Sequence, residues 1–298
     1  MKNIIDDIYL NMVQHILNTG EDRETRSGMC RSNFDYNGSV DLEGKHLPLL
    51  TTKKIHLRSV IGELLWFLSG KSTISALKHY TFNDPNSEKW TIWTDDQKRW
   101  QDDLYYQYMV NNNMIDKDSC GSNYGAIWRG TMNGFDQIET LLSNLVEHPF
   151  DRRLLVQAYI PDEVDMTCLP PCHTGFQCYV RKGEWLDLKW TQRSCDVFLG
   201  FPFNLASYGL LLHILAKLTG LKAGRLSWTL GDTHIYHPHF EAVKQQMQND
   251  PFPELPTVEL PDFDSLDYLV DNLTADDFMN CVKDYQSHPA IKAPLLVG

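Results

Sequence analysis

The chain lacks the features that define several classes of protein. Its 298 residues contain no low-complexity tract, no repeat of solenoid length and no run near the roughly 18 apolar residues that span a membrane. Basic residues are in the minority, with 27 Lys and Arg against 39 Asp and Glu, for a formal charge of −12. Broad binding to nucleic acid or to an anionic membrane needs a basic face. We therefore expect no membrane association and no stable nucleic-acid partner.

Cysteine is too sparse and too scattered for a disulfide framework. The seven cysteines are odd in number and spread along the chain, unlike the dense, even sets of small secreted domains. Near the N-terminus, Asp6 and Asp7 stand where a secretory signal needs an uninterrupted apolar stretch. We expect free thiols and a cytoplasmic protein.

The sequence does have enough apolar material for one large core, since 42% of its residues are hydrophobic. No Gly/Ser or Pro tract divides the chain, so we expect a single domain over residues 1–298. Apolar periodicity predicts helices over 3–19, 56–68 and 205–218, and strands over 154–156, 176–180 and 185–192. Residues 181–184 join the last two strands as a hairpin. This mixed order indicates an α/β (α+β) fold.

Three polar stretches interrupt this pattern, at about 83–103, 111–120 and 250–267. None of them resembles a linker between two cores. We expect them to be excursions at the surface of the domain.

Cys172 follows two prolines in Leu169-Pro170-Pro171-Cys172-His173. The prolines restrict the backbone and remove two amide donors, so the thiol is rigidly presented. A cysteine in an apolar setting is more often an inert core residue, because a nucleophile also needs a cationic or hydrogen-bonding environment. Both interpretations stay open on these residues alone.

A second group of polar residues lies where the predicted strand at 185–192 leads towards the apolar helix. Arg193 and Ser194 are suited to phosphate oxygens, Asp196 to a heterocycle and Asn204 to the edge of a base. The alternative is that Asn204 only caps the helix and Arg193 with Asp196 forms a local ion pair.

The segment 231–239 contains three imidazoles, His234, His237 and His239, so a metal site has to be considered. A strand would send His234 to the opposite face from the other two, and no zinc-like spacing of Cys or acidic residues lies nearby. We expect no metal here and a strand edge with polar groups facing outwards.

Two charged positions are ambiguous. Glu63 lies in an apolar helix, where a carboxylate is costly if buried without a partner, so it is either at a solvent edge or functional. Helix geometry slightly favours the solvent edge. Arg152-Arg153 is most simply a solvated pair, although adjacent guanidinium groups also bind phosphate or a partner subunit.

Several motifs together resemble the thymidylate synthase family, and the likeness covers nearly the whole chain in order. The matching segments are 49–54, 56–59, 63–68, 152–153, 169–173, 192–196, 200–208, 231–236 and 288–294. The resemblance implies a twisted mixed sheet with packed helices, a homodimer, and one-carbon transfer from methylenetetrahydrofolate to C5 of dUMP, without a metal.

The resemblance also implies roles for individual residues. Cys172 would add to C6 of the base, Arg193 would lower the pKa of that thiol, Glu63 would organise water and proton transfers, and Tyr124 would lie near the C5 proton. His173 and Asp196 complete the catalytic set.

Ligand contacts follow in the same way. Asn204 would read the O4 and N3 edge of the base, and His234 with Tyr236 would bind the sugar hydroxyl. The remaining substrate residues are Arg26, Gln192, Ser194 and, from the partner subunit, Arg152 and Arg153. Those assigned to the folate are Lys53 at its glutamate tail, His56, Trp93, Asp196, Gly200 and Phe203.

The chain departs from the family pattern around these positions. Ser122-Asn123 precedes Tyr124 where Pro-Val is usual, as in the related phage hydroxymethylases, and Tyr159-Ile160 and Thr94 also differ. The chain ends at Pro294-Leu295-Leu296-Val297-Gly298, one residue longer than many relatives. A second product, 5-hydroxymethyl-dUMP with release of tetrahydrofolate, is therefore kept as an alternative. A non-catalytic nucleotide- or RNA-binding relative is a remote one.

Overall fold

The structure is a computed structural model that describes residues 3–130 and 134–296. Six of its strands form the main sheet. They are β1 (Glu21–Thr25), β2 (Gly28–Asp41), β3 (Leu155–Gln157), β4 (His173–Arg181), β5 (Trp185–Asp196) and β6 (Lys222–Tyr236). Their spatial order is β1-β2-β6-β5-β4-β3, and only the β5–β6 pairing in this sheet is parallel. The fold is thus a mixed α/β one, as predicted.

Helices pack mainly against one face of this sheet. The described residues contain α1 (Ile5–Thr19), α2 (Leu57–Leu68), α3 (Ile74–Phe82), α4 (Ile92–Trp100), α5 (Leu104–Asn111), α6 (Tyr124–Trp128), α7 (Gln137–Glu147), α8 (Gly200–Thr219), α9 (Phe240–Gln246), α10 (Leu266–Asn272) and α11 (Ala275–Phe278). Two short strands, β7 (Thr257–Val258) and β8 (Val282–Lys283), pair separately.

The central helix of the core is α8, which makes the crossover between the parallel strands β5 and β6. Its length and composition alone would suit a membrane span, but 72% of its most apolar 18-residue stretch is buried inside the protein. Trp190 on β5 and Trp228 on β6 are fully buried beneath it, with ring centroids 5.3 Å apart. The helix is therefore a core element, which explains its uniform apolarity.

The predicted hairpin between β4 and β5 is confirmed. Arg181 pairs with Trp185 across the turn, and Lys182 and Gly183 both have positive φ, 57° and 68°. A Gly in the second of these positions satisfies a turn whose twist matches the strands.

Other boundaries differ from the sequence expectations. The helix predicted from 205 begins at Gly200, because the Asp196 carboxylate accepts from the amides of Phe198 and Leu199 and turns the chain early. Asn204 is therefore inside α8, and its interpretation as a helix cap is wrong. Strands β1 and β2 escaped prediction because β2 is largely polar and contains Gly38.

The strand-edge interpretation of residues 231–239 is also wrong. Strand β6 lies between β2 and β5 in the middle of the sheet, and His237–His239 form a 3-10 turn after it. The polar stretch 83–120 is likewise more than a surface excursion. It contains α4 and α5 and a small apolar cluster of Trp100, Tyr106 and Met109.

Candidate active site

Cys172 lies immediately before β4, on a segment held from two sides. The Tyr124 hydroxyl on α6 accepts from the amides of Cys172 and His173 at 2.8 and 3.2 Å. From β5, Arg193 donates through Nε to the Pro171 carbonyl at 2.9 Å and through Nη2 to the Pro170 carbonyl at 3.2 Å. The thiol is thus presented on a backbone whose position two other elements determine.

The environment of the Cys172 thiol contains opposing influences. Burial raises its pKa above the ordinary value, while the guanidinium groups of Arg193 and Arg26 act to lower it. Burial is the larger effect, so the pKa of the Cys172 thiol stays above its ordinary value despite the two arginines. Arg26 reaches the site from the turn between β1 and β2.

Glu63 is a partly buried carboxylate on α2, not a solvent-edge residue. Its Oε1 accepts from the Trp93 indole at 2.6 Å. Burial raises the pKa of Glu63 from 4.5 to about 7, and the Trp93 hydrogen bond opposes that shift. Trp93 is itself buried and meets the rings of Phe67 and Tyr124 edge-on at 6.0 and 6.2 Å. Glu63 therefore changes protonation near neutral pH.

His173 is a neutral imidazole in the folded protein. Burial lowers its pKa to about 4, although a hydrogen bond with Asn204 acts in the opposite direction. Its Nδ1 lies 3.2 Å from the Tyr208 hydroxyl on α8, and its ring lies against Tyr124 with centroids 5.0 Å apart. At pH 7 it acts as a hydrogen-bonding group and not as a cation.

Asn204 projects from the first turns of α8 and is oriented by a relay from β5. The Trp190 indole donates to Gln192 Oε1 at 3.3 Å, and Gln192 Nε2 donates to Asn204 Oδ1 at 3.2 Å. The indole can only donate, so it determines which end of the Gln192 amide is the acceptor. That in turn determines which end of Asn204 is the oxygen.

His234 on β6 is oriented by a carboxylate. Its Nδ1 lies 3.0 Å from Asp232 Oδ1, which also accepts from the Ser32 hydroxyl at 2.8 Å. The His234 and Ser32 hydrogen bonds lower the pKa of Asp232. Tyr236 lies two residues further on, with its ring edge-on to His234 at 5.0 Å, and it is hydrogen-bonded to Ser27.

The residues assigned to the folate differ from one another in burial. Lys53 is buried, with its ammonium donating to the Phe198 carbonyl and lying 3.6 Å from the centre of the Phe198 ring. Burial lowers the pKa of Lys53 to about 7. His56 is exposed beside the first turn of α2, and Gly200 and Phe203 lie in the first turn of α8.

Two predicted phosphate residues lie on the surface of the protein. Arg153 is 88% exposed and pairs with Asp151 at 2.7 Å, and Arg152 is also exposed. Ser194, by contrast, is half-buried on β5 opposite Asp232 of β6.

The three imidazoles of 231–239 do not converge. His237 contacts Asp22 at 3.1 Å, and His239 contacts the Pro294 carbonyl at 2.8 Å, while His234 faces Asp232. Over residues 3–130 and 134–296, no group of three or more His, Cys, Asp or Glu side chains could hold a metal ion.

Sequence reasoning missed four residues that hold the site together. Asp232 could have been found, because it precedes His234 by two positions and two is the strand period. Ser32, Ser27 and Tyr208 carried no such signal, since their partners are remote in sequence.

A mixed α/β fold that presents a cysteine near cationic, carboxylate and amide groups is typical of group-transfer enzymes. The profile of the family described as "Thymidylate synthase" matches residues 7–297. The chain belongs to the thymidylate synthase family and is a one-carbon transferase. It is also similar to a protein of Escherichia phage T5 named "Probable thymidylate synthase", at 44% identity over 288 residues, which are 96% of this chain and 98% of that protein.

Proposed function

We propose that the protein converts dUMP to dTMP in one catalytic domain over residues 1–298, with methylenetetrahydrofolate as cosubstrate and through a bond from Cys172 Sγ to C6 of the base. Membership of the family supports the reaction class. The observation that carries the covalent step is the support of Cys172 by Tyr124 and Arg193, with Arg26 as a second nearby cation. Tyr124 and Arg193 hold the thiol in one position, and the two guanidinium groups oppose the rise in pKa that burial causes.

Selection of uracil rests on the orientation of Asn204. With its oxygen turned to Gln192, the Asn204 amide keeps its nitrogen as a donor for O4, and its oxygen would exchange the His173 hydrogen bond for the N3 hydrogen of the base. Cytosine presents a donor where uracil presents O4. An amide in this fixed orientation would therefore leave cytosine unpaired.

Phosphate binding is assigned to Arg26, in the turn between β1 and β2, and to Arg193 and Ser194 on β5. His234 and Tyr236 are assigned to the sugar hydroxyl. Both side chains are held in place by hydrogen bonds, His234 by Asp232 and Tyr236 by Ser27. Two arginines close to one thiol suit a dianion as well as a thiolate.

The donor set near Glu63 fits a pterin-like ligand. Trp93 supplies an aromatic wall, and Glu63 has a pKa near 7, suited to exchange protons with the base through water. The folate supplies the one-carbon unit and the reducing equivalent when bound. Lys53 would have to turn away from the Phe198 carbonyl before it could meet a glutamate tail.

A homodimer would place Arg152 and Arg153 at the partner's phosphate site. The face of the main sheet away from α8 carries exposed apolar side chains, among them Tyr179 at 67% and Leu155 at 46% exposure. Exposed apolar residues on a sheet face are typical of an interface between protomers. The two arginines lie near the β3 edge of the same sheet.

The proposal is tested by Cys172→Ser, with turnover and dUMP binding measured on the same sample. We expect turnover to be lost, since a hydroxyl is a far weaker nucleophile at neutral pH, while dUMP binding by calorimetry persists. Cys281→Ser, at a buried thiol bonded to the Asp277 carbonyl, is the matched control and should remain active. Full activity of Cys172→Ser would remove Cys172 from the mechanism.

The second candidate product is 5-hydroxymethyl-dUMP. One observation favours it: the Ser122 hydroxyl is buried two residues before Tyr124 and has no hydrogen-bond partner within residues 3–130 and 134–296. A buried hydroxyl of this kind suits a water molecule, and water in place of hydride would give the hydroxymethyl product. If so, Ser122→Ala should shift the product towards dTMP, as measured by the mass of the nucleotide. An unchanged product mixture would dismiss this role of Ser122.

A further inference from the structure

Two cysteines outside the proposed catalytic set lie opposite each other beside residues 169–173. We call these residues the nucleophile segment because they contain Cys172. Gly121 and Thr167 form an isolated antiparallel bridge. In that register the next pair outwards is Cys120 and Cys168. The Cys168 amide donates to the Cys120 carbonyl at 3.1 Å, and the Ser122 amide donates to Met166 on the other side of the bridge at 2.9 Å.

The spacing of this pair suits a disulfide. The pair makes one of the two hydrogen bonds of an antiparallel hydrogen-bonded position, because the Cys120 amide donates to the Ser72 carbonyl at 2.7 Å instead. Residues opposite at such a position have Cα atoms about 5.5 Å apart, and a disulfide spans roughly 4.4–6.8 Å. Both residues are free thiols, and the Cys168 side chain is close enough to Cys120 to contribute to the raised pKa of the Cys120 thiol. Little backbone movement is needed to join them.

We propose that Cys120 and Cys168 are a redox-active dithiol that a peroxide oxidises to an internal disulfide, restraining the nucleophile segment. Cys168 is four residues before Cys172, and Cys120 is four residues before Tyr124. The disulfide would therefore join the two segments that already meet through the Tyr124 hydroxyl.

The two thiols differ in exposure to solvent, and this difference determines which thiol reacts with peroxide first. Cys120 is fully buried, and burial raises its pKa well above the ordinary value. Cys168 is partly exposed, so it meets peroxide first and becomes a sulfenic acid with release of one water. Cys120 then attacks that sulfur, its proton leaves with the hydroxyl as a second water, and the disulfide forms. One peroxide is reduced by the two electrons that the two thiols supply.

Two effects are expected from the cross-link. It closes a long loop of chain, so the melting temperature should rise on the order of 5 °C. It also restricts a segment that has to adjust while Cys172 bonds to the base, so kcat should fall at least roughly twofold while KM for dUMP changes little. The second effect rests on the proposed function; formation of the disulfide does not.

The experiment treats the full chain with hydrogen peroxide while dUMP is present, then analyses the protein by mass spectrometry under denaturing conditions. We expect a mass loss of about 2 Da, a linked peptide containing Cys120 and Cys168, and a fall from seven titratable thiols to five. Dithiothreitol should restore the thiols and kcat. Cys168→Ala should show neither the link nor the rise in melting temperature, whereas Cys281→Ala, at the thiol hydrogen-bonded to the Asp277 carbonyl, should show both.

Three outcomes contradict the proposal. Oxygen addition at Cys172 without a Cys120–Cys168 peptide would mean that peroxide acts on the nucleophile instead. A linked peptide with unchanged kcat would remove the restraint on turnover. An equal loss of kcat on peroxide treatment of Cys168→Ala, which cannot form the disulfide, would also remove the restraint on turnover. If the protein forms the disulfide but never turns over dUMP, the proposed function is refuted and the proposed redox-active dithiol is not.

Discussion

At the scale of single residues, Glu63 shows how burial and function conflict. Its carboxylate lies within the aromatic cluster around Trp93, where a charge is poorly solvated. Its pKa near 7 is a direct consequence of that burial. The same shift that keeps a proton available at neutral pH makes the ionised form costly to the fold.

This shift predicts a pH-dependent stability difference for Glu63→Gln. Between pH 4.5 and about 7 the folded protein keeps a proton that the unfolded chain has lost, so the folding stability due to this group falls as pH rises. The Gln variant should therefore gain stability over wild type across that window, by about 2–3 kcal/mol at pH 8, and lose turnover. Urea unfolding at pH 4.5 and pH 8 measures this.

The exposed Glu254→Gln is the matched control and should show no pH-dependent gain. An equal stability difference for Glu63→Gln at both pH values would mean that the pKa of Glu63 is not raised in the folded protein.

Asp232 is predicted to act through His234. Asp232→Asn removes a charge-assisted hydrogen bond to the imidazole, so His234 should lose its fixed orientation. We expect KM for dUMP to rise roughly tenfold, with a smaller effect on kcat. Steady-state kinetics separate the two. Asp271→Asn, exposed on α10, should leave both unchanged, and a fall in kcat alone for Asp232→Asn would contradict a role in sugar binding.

Much of the residue-level site was predictable because the motifs carry their own chemistry. Cys172 after two prolines, and Arg193 to Asp196 at the end of a strand, could be singled out from residue types. The contacts that orient them could not. The Tyr124 hydroxyl meets the Cys172 amide across 48 positions in sequence, and no local pattern encodes such a contact.

At the scale of elements, the close packing of α2 on α3 determines where Glu63 lies. A methyl group at Gly62 would come within 2.6 Å of the Thr81 Cα and 2.3 Å of its hydroxyl. The two helices can approach this closely because Gly62 has no side chain. Glu63, the next residue on α2, depends on that approach for its position.

Gly62→Ala should therefore push α3 away and lower the free energy of unfolding by about 1–3 kcal/mol. Turnover should fall as well, because Glu63 moves with α2. Urea unfolding and kcat measure the two effects. Ser59→Ala, on an exposed position of the same helix, should stay within about 0.5 kcal/mol of wild type. A stable, fully active Gly62→Ala protein would show that the α2–α3 contact has no influence on the site.

The elements were predicted best where periodicity was strong. Helices α1 and α2 and the β4–β5 hairpin agree with the sequence expectations to within a few residues. Strand β6 was mistaken for an edge because its parallel neighbour β5 precedes it by the whole of α8, and such long-range pairing leaves no local signal. Helix α4 was missed because its polar composition hid the few apolar contacts around Trp100. Helix α5 was missed because it is only 8 residues long and lies between two polar stretches.

At the scale of the whole molecule, the proposed homodimer predicts a test with two inactive variants. One variant is Cys172→Ser; the other replaces both Arg152 and Arg153 with Ala. A mixed dimer would contain one site with an intact cysteine facing intact arginines, so mixing after reversible dissociation should restore roughly a quarter of wild-type activity. Each variant alone should be nearly inactive. Mixtures no more active than their components would contradict a shared phosphate site.

The central claim is that this chain methylates dUMP. One measurement tests it most directly: the protein, dUMP and methylenetetrahydrofolate are incubated together, dihydrofolate is followed by absorbance, and the nucleotide product is weighed by mass spectrometry. The account predicts dihydrofolate together with a nucleotide that has gained a methyl group. Tetrahydrofolate with a hydroxymethyl nucleotide, or an unchanged nucleotide, would contradict it.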